Sequence, residues 1–269
     1  MHAAAELLSL PMETALLSRV VELTWPRIHS FALHGRYLSP GQASVVPTLL
    51  SRMSTLQTLR IQAAQSFALS RTRILDSSAT PPVAGFPQLR SLTVAYPDPD
   101  DVLFPLQTPH LTHLSLRDEP RFYLYLRKKE LVLSPFASPI LKASECLAIL
   151  RRKNVPLLSS LEVVCEADTG EAELLRYISS AYAHLAQLEL HRYRTSDDDR
   201  DPYVFLPVAL SSIASLKTSH LNLDCARIPP LHCNNEERRA RGSNTLRFWT
   251  YDGSLLHGSS INLHGIREN

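Results

Sequence analysis

The sequence predicts an α/β solenoid: a curved parallel β-sheet with helices on its convex side. Three observations lead there. A short apolar phrase recurs seven times in near-regular order. Amphipathic segments lie between several of the copies. The 269 residues are 44% hydrophobic and 20% charged, a globular composition with enough apolar surface for a sizeable core.

The phrase is an apolar residue, two variable residues, a second apolar residue, one variable residue and a third apolar residue. Its copies begin at Ile28, Leu56, Leu89, Leu111, Leu158, Leu185 and Leu216. The steps between them are 28, 33, 22, 47, 27 and 31 residues. Most of these match one strand-plus-helix unit, 22 is short, and 47 implies an insertion. In the last copy Ser219 stands where the second apolar residue belongs. The final two apolar residues of each copy are two apart, so on a strand they share a face. One such strand cannot bury that face alone, and stacking successive units builds a parallel sheet over a continuous core.

The helices follow from apolar spacing. Residues 3–23 are expected to form a helix before the first strand, kinked at Pro11. Pro47–Met53 predicts a short helix leading into the second strand. Ser144–Lys153 predicts another, with three cations at its C-terminal end, where they oppose the helix dipole. Glu171–Tyr182 is the clearest: Leu174, Leu175, Ile178 and Tyr182 share one face, and Glu171 and Glu173 sit in the first turn.

Two segments depart from the pattern. Arg117–Leu141 carries two β-prone runs around a charged Arg127-Lys128-Lys129-Glu130 centre, as in a hairpin. Its Phe122, Tyr123 and Tyr125 are of the type that anchors interfaces. They are equally of the type that packs on a neighbouring repeat. Beyond residue 224 the text turns polar and Gly-rich. The expected organisation is therefore a repeat array over 1–224, then 225–269 as a degenerate cap, a partly disordered tail or an erroneous reading frame. Within that tail Leu246–Tyr251 reads as a degenerate eighth strand.

The phrases resemble leucine-rich repeats. They are most similar to the irregular repeats of fungal, basidiomycete-type F-box/leucine-rich-repeat-like proteins. The carriers are Trp-Pro-x-Ile-x-Ser-Phe-x-Leu-x-Gly over Trp25–Gly35 and Phe-Pro-x-Leu-x-Ser-Leu-x-Val over Phe86–Val94. The resemblance covers roughly residues 15–224. It implies a non-enzymatic interaction scaffold resembling the part that recognises substrates for ubiquitin ligases. Leu10-Pro11-Met12-Glu13 echoes the start of an F-box, but Trp25 already belongs to the first repeat. No room is left for the helical module, so adaptor binding is not expected. The alternative reading is a degenerate or truncated relative that retains no binding.

Strand parity supplies the expected binding residues. Arg60, His113, Arg117, Glu162, Glu189 and His191 point away from the core, in company with Thr58, Thr93, Ser115, His220 and Asn222. The early strands offer Arg60 and Arg117, the later ones Glu162 and Glu189. Such a bipolar face could orient a protein partner, or be plain solvated sheet. Together with Phe122, Tyr123 and Tyr125 these are the candidate partner-binding residues.

Other chemistries find little support. No G-x-S-x-G, H-E-x-x-H or phosphate-binding loop occurs, and the chain has eight Gly. No catalytic, cofactor or metal site is expected. His220, Cys225, His232 and Cys233 lack the tight pairing of a zinc site. The net charge of +2 argues against nucleic-acid binding. Asp197-Asp198-Asp199 lies between Arg194 and Arg200, a self-compensating loop. No apolar run is long enough for a membrane span. Four cysteines without a CxxC suit free thiols in the cytoplasm or nucleus.

Overall fold

Each copy of the phrase becomes one strand, and the residues just before it explain how. The computed structural model describes residues 5–36, 40–65, 71, 73–75, 85–119, 140–195, 202–224 and 246–252. In all seven copies the first apolar residue donates its N–H to the carbonyl three residues back: Ile28 to Trp25, Leu56 to Met53, Leu89 to Phe86, Leu111 to Thr108, Leu158 to Val155, Leu185 to Tyr182 and Leu216 to Ile213. Four of these turns have Pro next: Pro26, Pro87, Pro109 and Pro156. Proline pre-sets the backbone at that turn position. Both ends of the turn are buried in every copy.

The chain then locks to the previous unit. The two residues after the first apolar one donate both N–H groups to a single carbonyl one unit earlier. His29 and Ser30 bond Glu6, Gln57 and Thr58 bond His29, and Arg90 and Ser91 bond Gln57. Thr112 and His113 bond Arg90, Ser159 and Ser160 bond Thr112, and Ala186 and Gln187 bond Ser159. Lys217 and Thr218 close the series on Ala186. This fixes the register, and a one-residue slip would turn every leucine outward.

The strands are β1 (Leu7–Pro11), β2 (Ser30–Arg36), β3 (Thr58–Ala64), β4 (Ser91–Ala95), β5 (His113–Arg117), β6 (Leu141–Lys142), β7 (Ser160–Glu166), β8 (Gln187–Tyr193), β9 (Thr218–Asp224) and β10 (Leu246–Asp252). They form one ten-stranded sheet in chain order, with short β6 pairing β7 beside the main path. The pairings among β1 to β9 are parallel. The core row Phe31, Leu59, Leu92, Leu114, Leu161, Leu188 and Ser219 stays in step from β2 to β9. Ser219 is as buried as the leucines it replaces.

Helices cover the apolar side. They are α1 (Leu17–Val20), α2 (Pro40–Ser51), α3 (Ala143–Arg152), α4 (Glu171–Ala181) and α5 (Pro202–Ser211). Val46, Leu49 and Leu50 of α2, Ile149 of α3, Ile178 of α4 and Leu206 of α5 join the strand leucines in one apolar cluster. Full burial of each such side chain is worth about 1.5–3 kcal/mol. The result is a repeat-like α/β fold.

Several expectations need correction. Residues 3–23 do not form one helix. Leu7–Pro11 alternates exposed and half-buried residues and pairs in parallel with β2, and only Leu17–Val20 is helical. Period-two burial, with Pro11 denying a helix its hydrogen bond, outweighs the local leucine content. The second helix starts at Pro40 rather than Pro47, which it contains. Leu246–Asp252 is a strand, but it runs antiparallel to β9 and so does not continue the ladder. The short 22-residue step has a physical reason. Residues 96–112 hold turns instead of a helix, and buried Leu103 and Phe104 fill the space. Most of the insertion, residues 120–139, lies outside the described residues, as do 225–245 and 253–269.

Polar side chains tie neighbouring units together. The Asp168 carboxylate accepts from the Ser144 N–H (3.1 Å) and the Gly170 N–H (2.8 Å), which joins the starts of α3 and α4. A Cβ on Gly170 would lie 2.8 Å from the Ser144 Cα, so glycine allows the approach. Arg192 of β8 points into the core and holds Glu171 of α4 through Nε (2.5 Å) and Nη2 (3.2 Å). Both are buried. Asp101 accepts from the N–H groups of Ile74 (2.5 Å), Leu75 (3.1 Å) and Leu103 (2.8 Å), while burial pushes its carboxyl up to about 6. The Lys153 ammonium, at the end of α3, donates to the Leu106 carbonyl at 2.8 Å, and burial pushes it down to about 8.

Arg192→Met leaves Glu171 buried without its bidentate partner. The expected loss is about 3–5 kcal/mol in urea unfolding, and adding Glu171→Leu should restore most of it. Lys153 gives a pH test. Its unfolded pKa is about 10.4, so from about pH 8 to that value the unfolded chain binds more protons. Stability of the native sequence relative to Lys153→Met should therefore rise across that window. A flat or falling difference in unfolding free energy would contradict the desolvated ammonium.

Candidate functional site

The sheet face turned away from the helices follows from alternation. Residues between the core leucines point there, and the register lines them up across the strands. One row runs Ser30, Thr58, Ser91, His113, Ser160, Gln187 and Thr218. The next runs Ala32, Arg60, Thr93, Ser115, Glu162, Glu189 and His220. Two residues further along lie His34, Gln62, Ala95 and Arg117, then His191 beside Asn222. A concave groove of ≈ 330 Å³ opens on the first two rows from β4 to β9. Small hydroxyl side chains on β4 and β5 leave that room, and larger Glu162, Glu189 and His220 line its other half.

The candidate residues fall into two groups on this face. Arg60 and His113 are exposed. His113 Nδ1 lies 2.7 Å from the Thr112 hydroxyl. Arg117 is half-buried because it leans over the small Ala95. The Gln62 carboxamide, turned with its oxygen toward the guanidinium, accepts from Arg117 Nε (3.3 Å) and Nη1 (3.2 Å). A larger residue at 95 would stand between them.

Glu162, Glu189 and His191 form the second group. Glu162 and Glu189 are direct register partners on β7 and β8, and His191 follows two residues along the same face. The Ser115 hydroxyl donates to Glu162 Oε2 at 2.6 Å. His191 Nε2 lies 2.6 Å from Glu189 Oε1. On the far side of the ring, Asn222 Nδ2 lies 3.0 Å from His191 Nδ1. His191 and Asn222 are buried, whereas both carboxylates are half-buried. One ligand atom from each of Glu162, Glu189 and His191 falls within 4.8 Å of the others.

Parity therefore brings Arg60, His113, Arg117, Glu162, Glu189 and His191 to one face. Phe122, Tyr123 and Tyr125 lie outside the described residues, as do Cys225, His232 and Cys233. Sequence reasoning placed Asn222 on this face but not among the site residues. The signal was its step of two from His220, and only the register sets it against His191. Cys146 and Cys165 are free thiols, both buried behind the sheet. Among the described residues no helix is long and apolar enough to cross a membrane.

No protein-family model matches the chain. No curated protein matches it either. Among solved structures, the crystal structure of a protein from Bacteroides fragilis is similar at a TM-score of 0.32 and 14% identity. The match covers 76% of this chain and spans 58% of the length of the Bacteroides protein.

Proposed function

We propose that the chain is a non-enzymatic protein-interaction scaffold, a leucine-rich-repeat solenoid that receives a partner on the exposed face of its sheet. The repeat reading is supported by the seven turns before the strands and by the carbonyl that each unit offers the next. The observation that carries the binding reading is the groove of ≈ 330 Å³ on that face, with Glu162 and Glu189 in its lining and Arg60 one strand beyond it, beside Thr93. Opposed charges fix a partner's orientation and speed its encounter. The reading keeps the likeness to the substrate-recognition region of F-box/leucine-rich-repeat proteins. It leaves adaptor binding out, because the Leu10–Glu13 echo falls at the end of a strand rather than in a helical module.

Affinity purification of the full chain, compared with an Arg60→Glu, Glu162→Lys variant, tests this reading. The native chain should retain a defined partner that the variant binds at least about tenfold more weakly, equivalent to about 1.4 kcal/mol. The same partners at the same affinity would exclude this face. A pull-down with a Skp-type adaptor should be negative, and robust capture through residues 1–24 would reverse that view.

A further inference from the structure

We propose that Arg60 and Arg117 form the seat for a carboxylate side chain of the partner, so that an acidic segment of that protein lies across β3 to β5. The inference rests on the reading of this face as an interface and names the chemistry the interface takes. Alternation points both arginines away from the core, and the register sets them on β3 and β5 with β4 between. Thr93 stands beside Arg60, and Ala95 beside Arg117. Neighbouring strands lie about 4.8 Å apart, so two long side chains can close over these short ones from either side.

Arg117 is already turned inward. Its guanidinium crosses Ala95 and donates through Nε (3.3 Å) and Nη1 (3.2 Å) to the Gln62 oxygen on β3. Gln62 follows Arg60 by one step along the same face. An amide oxygen takes only part of a guanidinium's donor set and brings no negative charge to it. Arg60 is exposed. Among the described residues neither arginine makes an ion pair. Two cations therefore flank a shallow floor of small side chains, and the planar fork of each matches a carboxylate. Gln62 is the positioning residue, because it orders Arg117 before the partner arrives and so lowers the cost of binding. Thr93 also lines the groove, so the seat opens directly onto it. Glu162 and Glu189 line the other half of that groove and repel an acidic segment there.

Fluorescence anisotropy of the full chain with a fluorescein-labelled hexaglutamate peptide tests the proposal, with labelled hexalysine as the comparison. Hexaglutamate should bind the more tightly, and added salt should weaken it. Arg60→Gln and Arg117→Gln should each weaken binding at least about threefold, and together at least about tenfold, with an unchanged circular dichroism spectrum. Gln62→Leu leaves both charges in place and releases Arg117. It should weaken binding while the salt dependence stays that of the native chain. A preference for hexalysine, or hexaglutamate binding that survives the Arg60→Gln, Arg117→Gln double change, would overturn the proposal. The interface reading fails separately. A purified partner lost with Glu162→Lys but kept with the double arginine change would leave the interface standing and remove its acidic occupant.

Discussion

One backbone carbonyl per unit governs this molecule. Each unit presents it just before its strand, and the next unit spends two N–H groups on it. That contact places the first apolar residue of every copy under the sheet and sets the strand that follows in step. The leucine rows, the helical cover and the polar face all follow from this register. A strand two residues out of step would still bury leucines but lose the paired N–H groups. One residue out of step would put leucines in water.

The turn before the strand prepares the contact. An apolar residue anchors its start, proline often follows, and the first leucine closes it. Thr108 takes the anchor position in one copy. Its hydroxyl is buried without a partner, the cost of using a polar residue there. Where the helices are irregular, polar ties replace helical packing. Asp101 gathers three N–H groups from two chain segments, and Lys153 secures the carbonyl of Leu106. Arg192 is more telling, because it occupies a core-facing strand position that pattern reading assigns to an apolar side chain. It is tolerated there because Glu171, at the first turn of the adjoining helix, meets it with both carboxylate oxygens.

The polar face is the other half of the same alternation. Its composition changes along the sheet, from arginine and hydroxyl residues to carboxylates and imidazoles. Small residues on β4 hollow it, and Ala95 lets Arg117 reach across to Gln62. A groove is therefore produced by side-chain size on a regular backbone, without a special loop. Two carboxylates meet within it because β7 and β8 share a register that aligns position 162 with position 189.

Much of this was readable from residue order. The leucine spacing carried the strands β2 to β5 and β7 to β9, the helices α3 and α4, and the face on which Arg60, Glu162 and Glu189 lie. Those features depend on period and parity, which are local properties of the chain. The opening segment was misread because Leu7–Pro11 is rich in leucine at both periods, and only a neighbour to pair with makes it a strand. The same limit applies to the reversed direction of β10 and the pairing of Arg192 with Glu171. It applies equally to the meeting of Glu162, Glu189, His191 and Asn222. Each joins residues far apart in the chain, and such contacts exist only once the units are stacked.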